Sequence, residues 1–126
     1  MKAWVSEGQT PATSTPVIVS HGLNIDPDLC IPSVRLRCVT ANNGYSPGDL
    51  AVGFGQRSVI DGANSSAVMI GSSGILLTPT QIQWNVGSAG IMLNTKNNGG
   101  YVGINGASGF AQWAIEFVIQ YQEKIV

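Results

Sequence analysis

The chain has 126 residues and a net charge of −1; 44% of its residues are hydrophobic and only 10% are charged. This length fits a single domain, and the sparse, scattered charges exclude the basic surface by which proteins bind nucleic acid or anionic membranes. A charge-poor surface is typical of subunits in an oligomer or a larger particle, although exposed Ser, Thr, Asn and Gln would also keep a monomer soluble.

The N-terminal part of the chain is predicted to be an extended arm followed by a strand. Residues 1–16 include a stretch rich in Thr, Ser and Pro, which is typical of a linker. We therefore expect an arm that docks on a neighbouring protein, and a single domain over residues 17–126. Residues 17–19 begin the first strand, which ends at the turn of His21 and Gly22 because glycine permits a positive φ.

Pro27 and Pro32 bracket the next segment. Because proline has no N–H to donate to a ladder, we expect this link to lie outside a sheet interior. Residues 33–40 then alternate as a strand. Its core-facing side chains are predicted to be Val34, Leu36, Cys38 and Thr40, and its outward-facing ones Ser33, Arg35, Arg37 and Val39.

The middle of the chain is predicted to contain short strands and turn-rich loops. Residues 41–49 carry Asn-Gly and Pro-Gly pairs, which mark tight turns, and residues 56–66 form a polar loop. Strands are expected at residues 50–54, with Leu50, Val52 and Phe54 inward, and at 67–70, 75–77, 80–86, 91–93 and 101–104. We interpret 75–77 as a candidate hairpin partner of 67–70, and 91–93 and 101–104 as strands flanking a turn at residues 96–100.

The longest predicted strand covers residues 110–121. A helix is the alternative, since the segment lacks helix breakers, but strict alternation of large apolar residues favours a strand. One face carries Trp113, Ile115, Phe117, Ile119 and Tyr121, and the other carries Ala114, Glu116, Val118 and Gln120. Regularly spaced short strands predict an all-β protein, an antiparallel β-sandwich of about six to eight strands.

No group of residues predicts catalysis. His21 is the one histidine of the chain, and a catalytic base needs a positioned partner that the sequence does not suggest. Cys30 and Cys38 lack the spacing of a metal site or a disulfide framework and are interpreted as small, buried, reduced thiols. We therefore expect a non-enzymatic protein without metal or cofactor, and we find neither a signal peptide nor an apolar stretch long enough to span a membrane.

Three clusters combine polar and aromatic residues on loops, as carbohydrate sites do. They are Asn42, Asn43 and Tyr45; Arg57, Asp61 and Asn64; and Asn97, Asn98 and Tyr101. Each is also what an ordinary Asn/Gly turn beside a packed tyrosine would contain. Trp84 and Trp113 alternate with aliphatic residues, so we expect them in the core rather than as sugar platforms.

Residues 15–55 show a distinctive order of motifs. A Ser-His-Gly-Leu turn and a proline-containing link precede a strand that ends in Cys-Val-Thr-Ala, and the run Gly-Tyr-Ser-Pro-Gly-Asp follows. This order resembles the C-terminal domains of bacteriophage tail-fibre proteins, which look like the H-type lectin fold. Residues 111–115 resemble the Asn-Trp-Arg strand that ends these domains, with Gln112 and Ala114 in place of the asparagine and the arginine.

The resemblance implies a six-stranded antiparallel β-sandwich that forms parallel homotrimers at the end of a fibre and recognises host-surface glycan. The galactosamine-binding residues of animal H-type lectins do not map onto this chain. We expect a virion protein, made in the bacterial cytoplasm, that is either a fibre fragment or a small separate protein. A structural role in capsid decoration or tail assembly, with other virion proteins held by the N-terminal arm, is the alternative. The expected interface residues lie on the outward strand faces: Arg35, Arg37, Glu116, Val118 and Gln120, with Glu116 facing the arginines within a chain or between chains.

Overall fold

The structure is a computed structural model that describes residues 1–12, 14–51, 55–59, 66–69, 74–87, 90–96, 101–104 and 106–123. Within these residues about half of the chain is in β-strands, with very little helix, and every pairing between strands is antiparallel. The strands are β1 (Lys2–Val5), β2 (Pro16–Ser20), β3 (Cys30–Cys38), β4 (Leu50–Ala51), β5 (Gly55–Val59), β6 (Ser66–Met69), β7 (Leu76–Leu77), β8 (Gln81–Asn85), β9 (Ile91–Asn94), β10 (Tyr101–Ile104) and β11 (Trp113–Tyr121). A 3-10 turn (Pro27–Leu29) and a short helix α1 (Gly106–Phe110) complete the described elements. The all-β prediction is confirmed, but the eleven described strands exceed the six to eight expected, because several of them are only two to four residues long.

The described strands form three sheets around a common core. Their orders are β1-β11-β3-β4, β10-β9-β5-β6 and β2-β8-β7. One continuous hydrophobic cluster takes residues from all three sheets, among them Leu36, Trp84, Ile91 and Phe117. Burial of these side chains supplies the main favourable free energy of folding, because about 1.5–3 kcal/mol is gained for each large apolar side chain removed from water.

The pairing of β3 with β11 is the longest in the described structure and confirms the predicted alternation from Ser33 to Cys38. Thr40 was expected to face the core, but it lies beyond the end of β3 and is exposed. Nine residue pairs run from Cys38 opposite Trp113 to Cys30 opposite Tyr121. The predicted inner residues of β11 from Trp113 to Ile119 are at most 1% exposed. The predicted inner residues of β8, Ile82 and Trp84, are fully buried as well, so both tryptophans assigned to the core lie there.

The N-terminal segment differs from the free arm expected from the sequence. Strand β1 pairs with β11, with Val5 opposite Val118, and Gln9 forms a bridge with Ile115. Residues 6–8 therefore lie opposite only residues 116 and 117, and the extra residue makes a β-bulge. A Cβ on Gly8 would lie 2.9 Å from the Cβ of Ala114. The segment thus packs closely on its own domain, which requires small residues at both positions.

Two predictions around β3 were wrong. Pro32 lies inside β3, opposite Ile119, rather than in a link outside the sheet. Strand β4 pairs with β3 only at Leu36 and Arg37, so the proline occupies a stretch of β3 with one described partner strand, where a missing N–H is tolerated. Leu50 was expected inward but is exposed; it pairs with Arg37, whose side chain points outward, and the next residue, Ala51, is the buried one.

The middle of the chain shows three further differences. Residues 55–59, expected within or beside a polar loop, form β5, which pairs with β6 and β9. Strand β7 pairs with β8 and not with the 67–70 segment. The last strand begins at Trp113 instead of residue 110, because Phe110 ends helix α1 and a turn follows it. The predicted hairpin of β9 and β10 is confirmed, whereas the predictions for Val52 and Phe54 fall outside the described residues.

Candidate functional site

The loop of residues 41–49 is fastened to the end of β3 by backbone hydrogen bonds. Cys38 N–H donates to the Asp49 carbonyl at 2.8 Å, and Gly48 N–H donates to the Cys38 carbonyl at 2.8 Å. Within the loop, Asn42 and Tyr45 exchange two backbone bonds, which closes a tight turn. The turn places Asn43 and Gly44 at positive φ, 49° and 89°, a region that asparagine and glycine adopt most readily. The sequence therefore makes this loop a defined structure.

Two members of the first predicted cluster hold the loop on Trp113. The Trp113 indole N–H donates to Asn42 Oδ1 at 3.2 Å, and Asn42 Nδ2 donates to Gln112 Oε1 at 2.7 Å. The ring of Tyr45 packs edge-to-face on Trp113, with 5.1 Å between ring centroids. Asn42 and Tyr45 consequently position the loop. Asn43 is the exposed member of this cluster, and its Nδ2 also donates to Asn42 Oδ1 at 2.5 Å.

Lys96 joins this loop to the segment that carries the third predicted cluster. Its backbone N–H donates to the Asn43 carbonyl at 3.2 Å, and its ammonium lies 2.7 Å from Asp49 Oδ2. The hydrogen bond from Lys96, followed by the one from the Ser46 backbone N–H, lowers the pKa of Asp49 below its ordinary value. These contacts join Asp49 and Lys96, which are 47 residues apart in the sequence.

The remaining predicted binding residues fall in different places. Arg57 lies in β5, opposite Val68, and Tyr101 begins β10, opposite Asn94. Asp61, Asn64, Asn97 and Asn98 lie outside the described residues. Sequence reasoning did not include Lys96, Asp49 or Gln112, and no local spacing could have revealed them, because their partners are 47 and 70 residues away.

The outward face of β3 and β11 carries a charged cluster of Arg35, Arg37 and Glu116. Arg35 Nε donates to Glu116 Oε1 at 2.9 Å and Arg37 Nε to Glu116 Oε2 at 2.7 Å. Arg37 Nη1 also donates to the Gly48 carbonyl at 2.9 Å, which ties the face to the 41–49 loop. Both arginines thus find Glu116 within their own chain, the first of the two arrangements expected. The other expected interface residues lie on the same face: Val118 is half-buried and Gln120 is exposed.

The charged cluster predicts a pH dependence of stability. Burial favours protonation of Glu116, but the hydrogen bonds and charges of Arg37 and Arg35 outweigh it and lower the pKa of this carboxyl below its ordinary value of 4.5. A lowered pKa in the folded state means that the stabilisation is present above pH 4.5 and is lost as the pH falls through the lowered value. We expect Glu116→Gln to reduce the melting temperature at pH 7 and the difference from the unsubstituted protein to shrink below pH 4.

Thermal melts of both proteins from pH 7 to pH 3 check this expectation. Glu123→Gln is the control, because the ion pair of Glu123 with Lys2 joins two side chains that are more than half exposed, and such pairs contribute little. A melting-temperature difference that stays constant over this pH range, or an equal effect of Glu123→Gln, would contradict it.

The environment of the two cysteine thiols favours their protonated form. Burial raises the pKa of both Cys30 and Cys38, which disfavours the thiolate. Cys38 is buried as expected, whereas Cys30 is half-buried. Among the described residues, no group of three or more His, Cys, Asp or Glu side chains could hold a metal ion, and no helix is long and apolar enough to cross a membrane.

No family model matches this chain, and no curated protein or solved structure matches it either.

Proposed function

We propose that this chain is a non-enzymatic virion protein of a tailed bacteriophage, a trimeric β-sandwich at a tail fibre or tail tip that attaches to glycan on the host surface. The observation that carries the proposal is the pair of contacts from Lys96 to Asn43 and Asp49. They connect Asn43 and Asp49, the last residue of the Gly-Tyr-Ser-Pro-Gly-Asp run that is the most distinctive motif of the resemblance, to one exposed lysine. The binding surface proposed here is therefore the 41–49 loop together with Lys96, called the loop surface below.

The loop surface has the properties that recognition of sugar hydroxyls requires. Asn43, Ser46 and Lys96 are exposed there, and they offer hydrogen-bond donors and acceptors from a backbone that is already ordered. Because Asn42 and Tyr45 fix the loop on the buried Trp113, little conformational entropy remains to be lost on binding. A rigid loop with exposed amide, hydroxyl and ammonium groups favours a polar, hydroxyl-rich ligand.

The outward face of the β1-β11-β3-β4 sheet supports the proposed trimer. The large hydrophobic side chains on this face are 43–57% exposed; they are Val5, Ile31 and Leu50. The same face carries the Arg35–Glu116–Arg37 cluster, in which both arginines are paired with Glu116. An apolar surface with internally paired charges is suited to burial between subunits. A structural protein of the capsid or tail, which is the alternative, would also bury such a face between subunits. Trimer formation alone therefore does not decide between the two proposed functions.

Asn43→Gly is the variant that tests the loop surface. Glycine accepts the positive φ of 49° at this position, so the fold is retained while the exposed amide is removed. We expect binding to bacterial cells of a susceptible strain to weaken by about tenfold, the equivalent of one lost hydrogen bond to a ligand. The melting temperature should fall only slightly, because the exposed hydrogen bond from Asn43 to Asn42 is lost as well. Gln81→Ala, a change at an exposed position on β8, is the control and should leave binding unchanged.

Cell binding by the unsubstituted protein must also disappear when surface polysaccharide is oxidised with periodate. Retention of binding after this treatment would contradict glycan recognition and favour the structural alternative. Light scattering measures the assembly separately: we expect three times the chain mass of 13.2 kDa, and a monomer mass would contradict the trimer.

A further inference from the structure

A groove lies at the end of the β3–β11 pair opposite to the loop surface. It runs between residues 22–29 and the end of β11, has a volume of about 480 Å³, and is lined by Leu23, Asn24, Ile25, Asp26, Tyr121 and Glu123, among others. The two ends of the nine-residue pairing are roughly 26 Å apart, at about 3.3 Å per residue. This groove is therefore a separate place on the molecule, and its volume is within the range of small-ligand sites, roughly 300–1,000 Å³.

His21 makes the wall of the groove a defined structure. Its Nδ1 accepts the Leu23 backbone N–H at 3.1 Å, and its Nε2 lies 3.0 Å from the Thr78 carbonyl, to which it donates in the neutral tautomer that this pairing requires. The His21 side chain is buried, and the Ile25 N–H donates to the Pro79 carbonyl. The wall is thus fixed at several points to the segment preceding β8, so the groove exists before any ligand arrives.

The other side of the groove is fixed by β11 and by the 3-10 turn. Cys30, the residue after the turn, pairs with Tyr121, and Asp26 Oδ1 accepts the Asp28 N–H at 3.0 Å. Tyr121 is half-buried and packs against the core, so its phenol ring offers a face held in one position. Asn24 is exposed at a φ of 51°, and its amide lines the groove.

The chemistry of the lining selects among ligand classes. One tyrosine ring and the aliphatic side chains of Leu23 and Ile25 provide apolar surface, while Asn24, Asp26 and Gln122 provide amide and carboxylate groups. An aromatic face with neighbouring amides and carboxylates suits a sugar ring, whose C–H face is apolar and whose hydroxyls both donate and accept. Glu123 in this lining is paired with Lys2, so the carboxylate of Asp26 gives the lining its net negative charge, which disfavours an anionic ligand.

We propose that the groove between residues 22–29 and the end of β11 is a second saccharide site, selective for neutral sugars. The choice of a saccharide as the ligand rests on the proposed function. The residues of the groove are different ones, and they lie at the opposite end of the sheet. A chain with the groove and the loop surface would contact two parts of one polysaccharide, which raises the effective affinity without any stronger single contact.

Ligand-observed NMR with free monosaccharides at millimolar concentration tests the proposal. The neutral probes are glucose, galactose and N-acetylglucosamine, and galacturonic acid is the matched probe because it differs from galactose in carrying a carboxylate. We expect saturation transfer to at least one neutral sugar and none to galacturonic acid. Asn24→Gly, which keeps the backbone conformation, and Tyr121→Leu, which keeps an apolar side chain, should each weaken the transfer by about tenfold in affinity.

Asn43→Gly is the control that separates the two sites. Transfer that is retained in Asn43→Gly but lost in Asn24→Gly and Tyr121→Leu supports the groove, and the reverse pattern supports the loop surface alone and overturns the groove. Binding of galacturonic acid as strong as that of galactose would also overturn it, as would the absence of transfer to every neutral probe. Cell binding of Asn43→Gly is measured separately from the NMR experiment. A failure of the proposed function can therefore be distinguished from a failure of the groove to bind sugars.

Discussion

Trp113→Ala is expected to lower the free energy of unfolding by about 3–5 kcal/mol, the usual effect of removing a buried tryptophan. Trp113 is 1% exposed at the first position of β11, and its ring supports Tyr45 while its N–H is bonded to Asn42. The substitution therefore leaves a cavity and also releases the 41–49 loop. Since small domains are stable by about 5–15 kcal/mol, we expect a variant that is poorly folded at physiological temperature.

Chemical denaturation with fluorescence or circular dichroism measures the loss. Ile18→Ala is the control, because Ile18 is a strand residue outside the proposed trimer face and is 49% exposed, and its truncation should change stability by less than about 1 kcal/mol. Trp113→Phe, which keeps most of the ring volume but not the indole N–H, should have an intermediate effect. A Trp113→Ala protein that melts normally but no longer binds glycan would show that the tryptophan is a sugar platform instead.

The strands that could be predicted from the sequence are those buried on one face. In β11, large apolar residues alternate with Ala114, Glu116 and Gln120, and a period of two specifies both the strand and its inner face. Strand β8 is similar, with Ile82 and Trp84 between glutamines. In both strands the pattern arises because one face is buried on folding and the other stays in contact with water. The sequence therefore indicates which side chains of these strands are buried in the structure.

The elements that could not be predicted lack this signal. Strand β5 begins with Gly55, Gln56 and Arg57, and polar residues in that order are equally typical of a loop. The helix α1 contains Gly106 and Gly109, which have low helix propensity. In these segments the partner strands and the surrounding fold determine the conformation, and such long-range pairing is not visible in local composition.

The same limit applies to the candidate site. The turn at Asn42–Tyr45 was evident because Asn-Gly pairs define local geometry. The contacts of Lys96 with Asn43 and Asp49 join positions far apart in the chain, and a lysine among polar residues gives no indication of its partner. The groove was not predicted for the same reason, since the residues 22–29 and Tyr121 meet only through the pairing of β3 with β11.

The second large effect is expected from deleting residues 1–9. These residues cover one edge of β11, and four hydrogen bonds beyond the β1 ladder are lost with them: Ser6 N–H to the Phe117 carbonyl, Phe117 N–H to Ser6 Oγ, and the two exchanged by Gln9 and Ile115. At about 1 kcal/mol each, these bonds alone correspond to about 4 kcal/mol. The deletion also exposes the edge of the longest strand, which favours pairing with other chains and aggregation.

A point substitution keeps this prediction testable if the truncated protein does not fold. Ser6 is buried, and its hydroxyl accepts the Phe117 N–H at 2.8 Å, so Ser6→Ala leaves a buried donor without a partner and should lower the free energy of unfolding by about 1–3 kcal/mol. Ser33→Ala, at an exposed position of β3 in the same sheet, is the control and should have almost no effect. If both the deletion and Ser6→Ala melt like the unsubstituted protein, residues 1–9 do not stabilise this domain, and the free arm expected from the sequence is the correct description. Loss of stability in both, with Ser33→Ala unchanged, establishes the segment as the edge strand of its own sheet. A contact of the N-terminal arm with another protein must then use residues beyond Gln9.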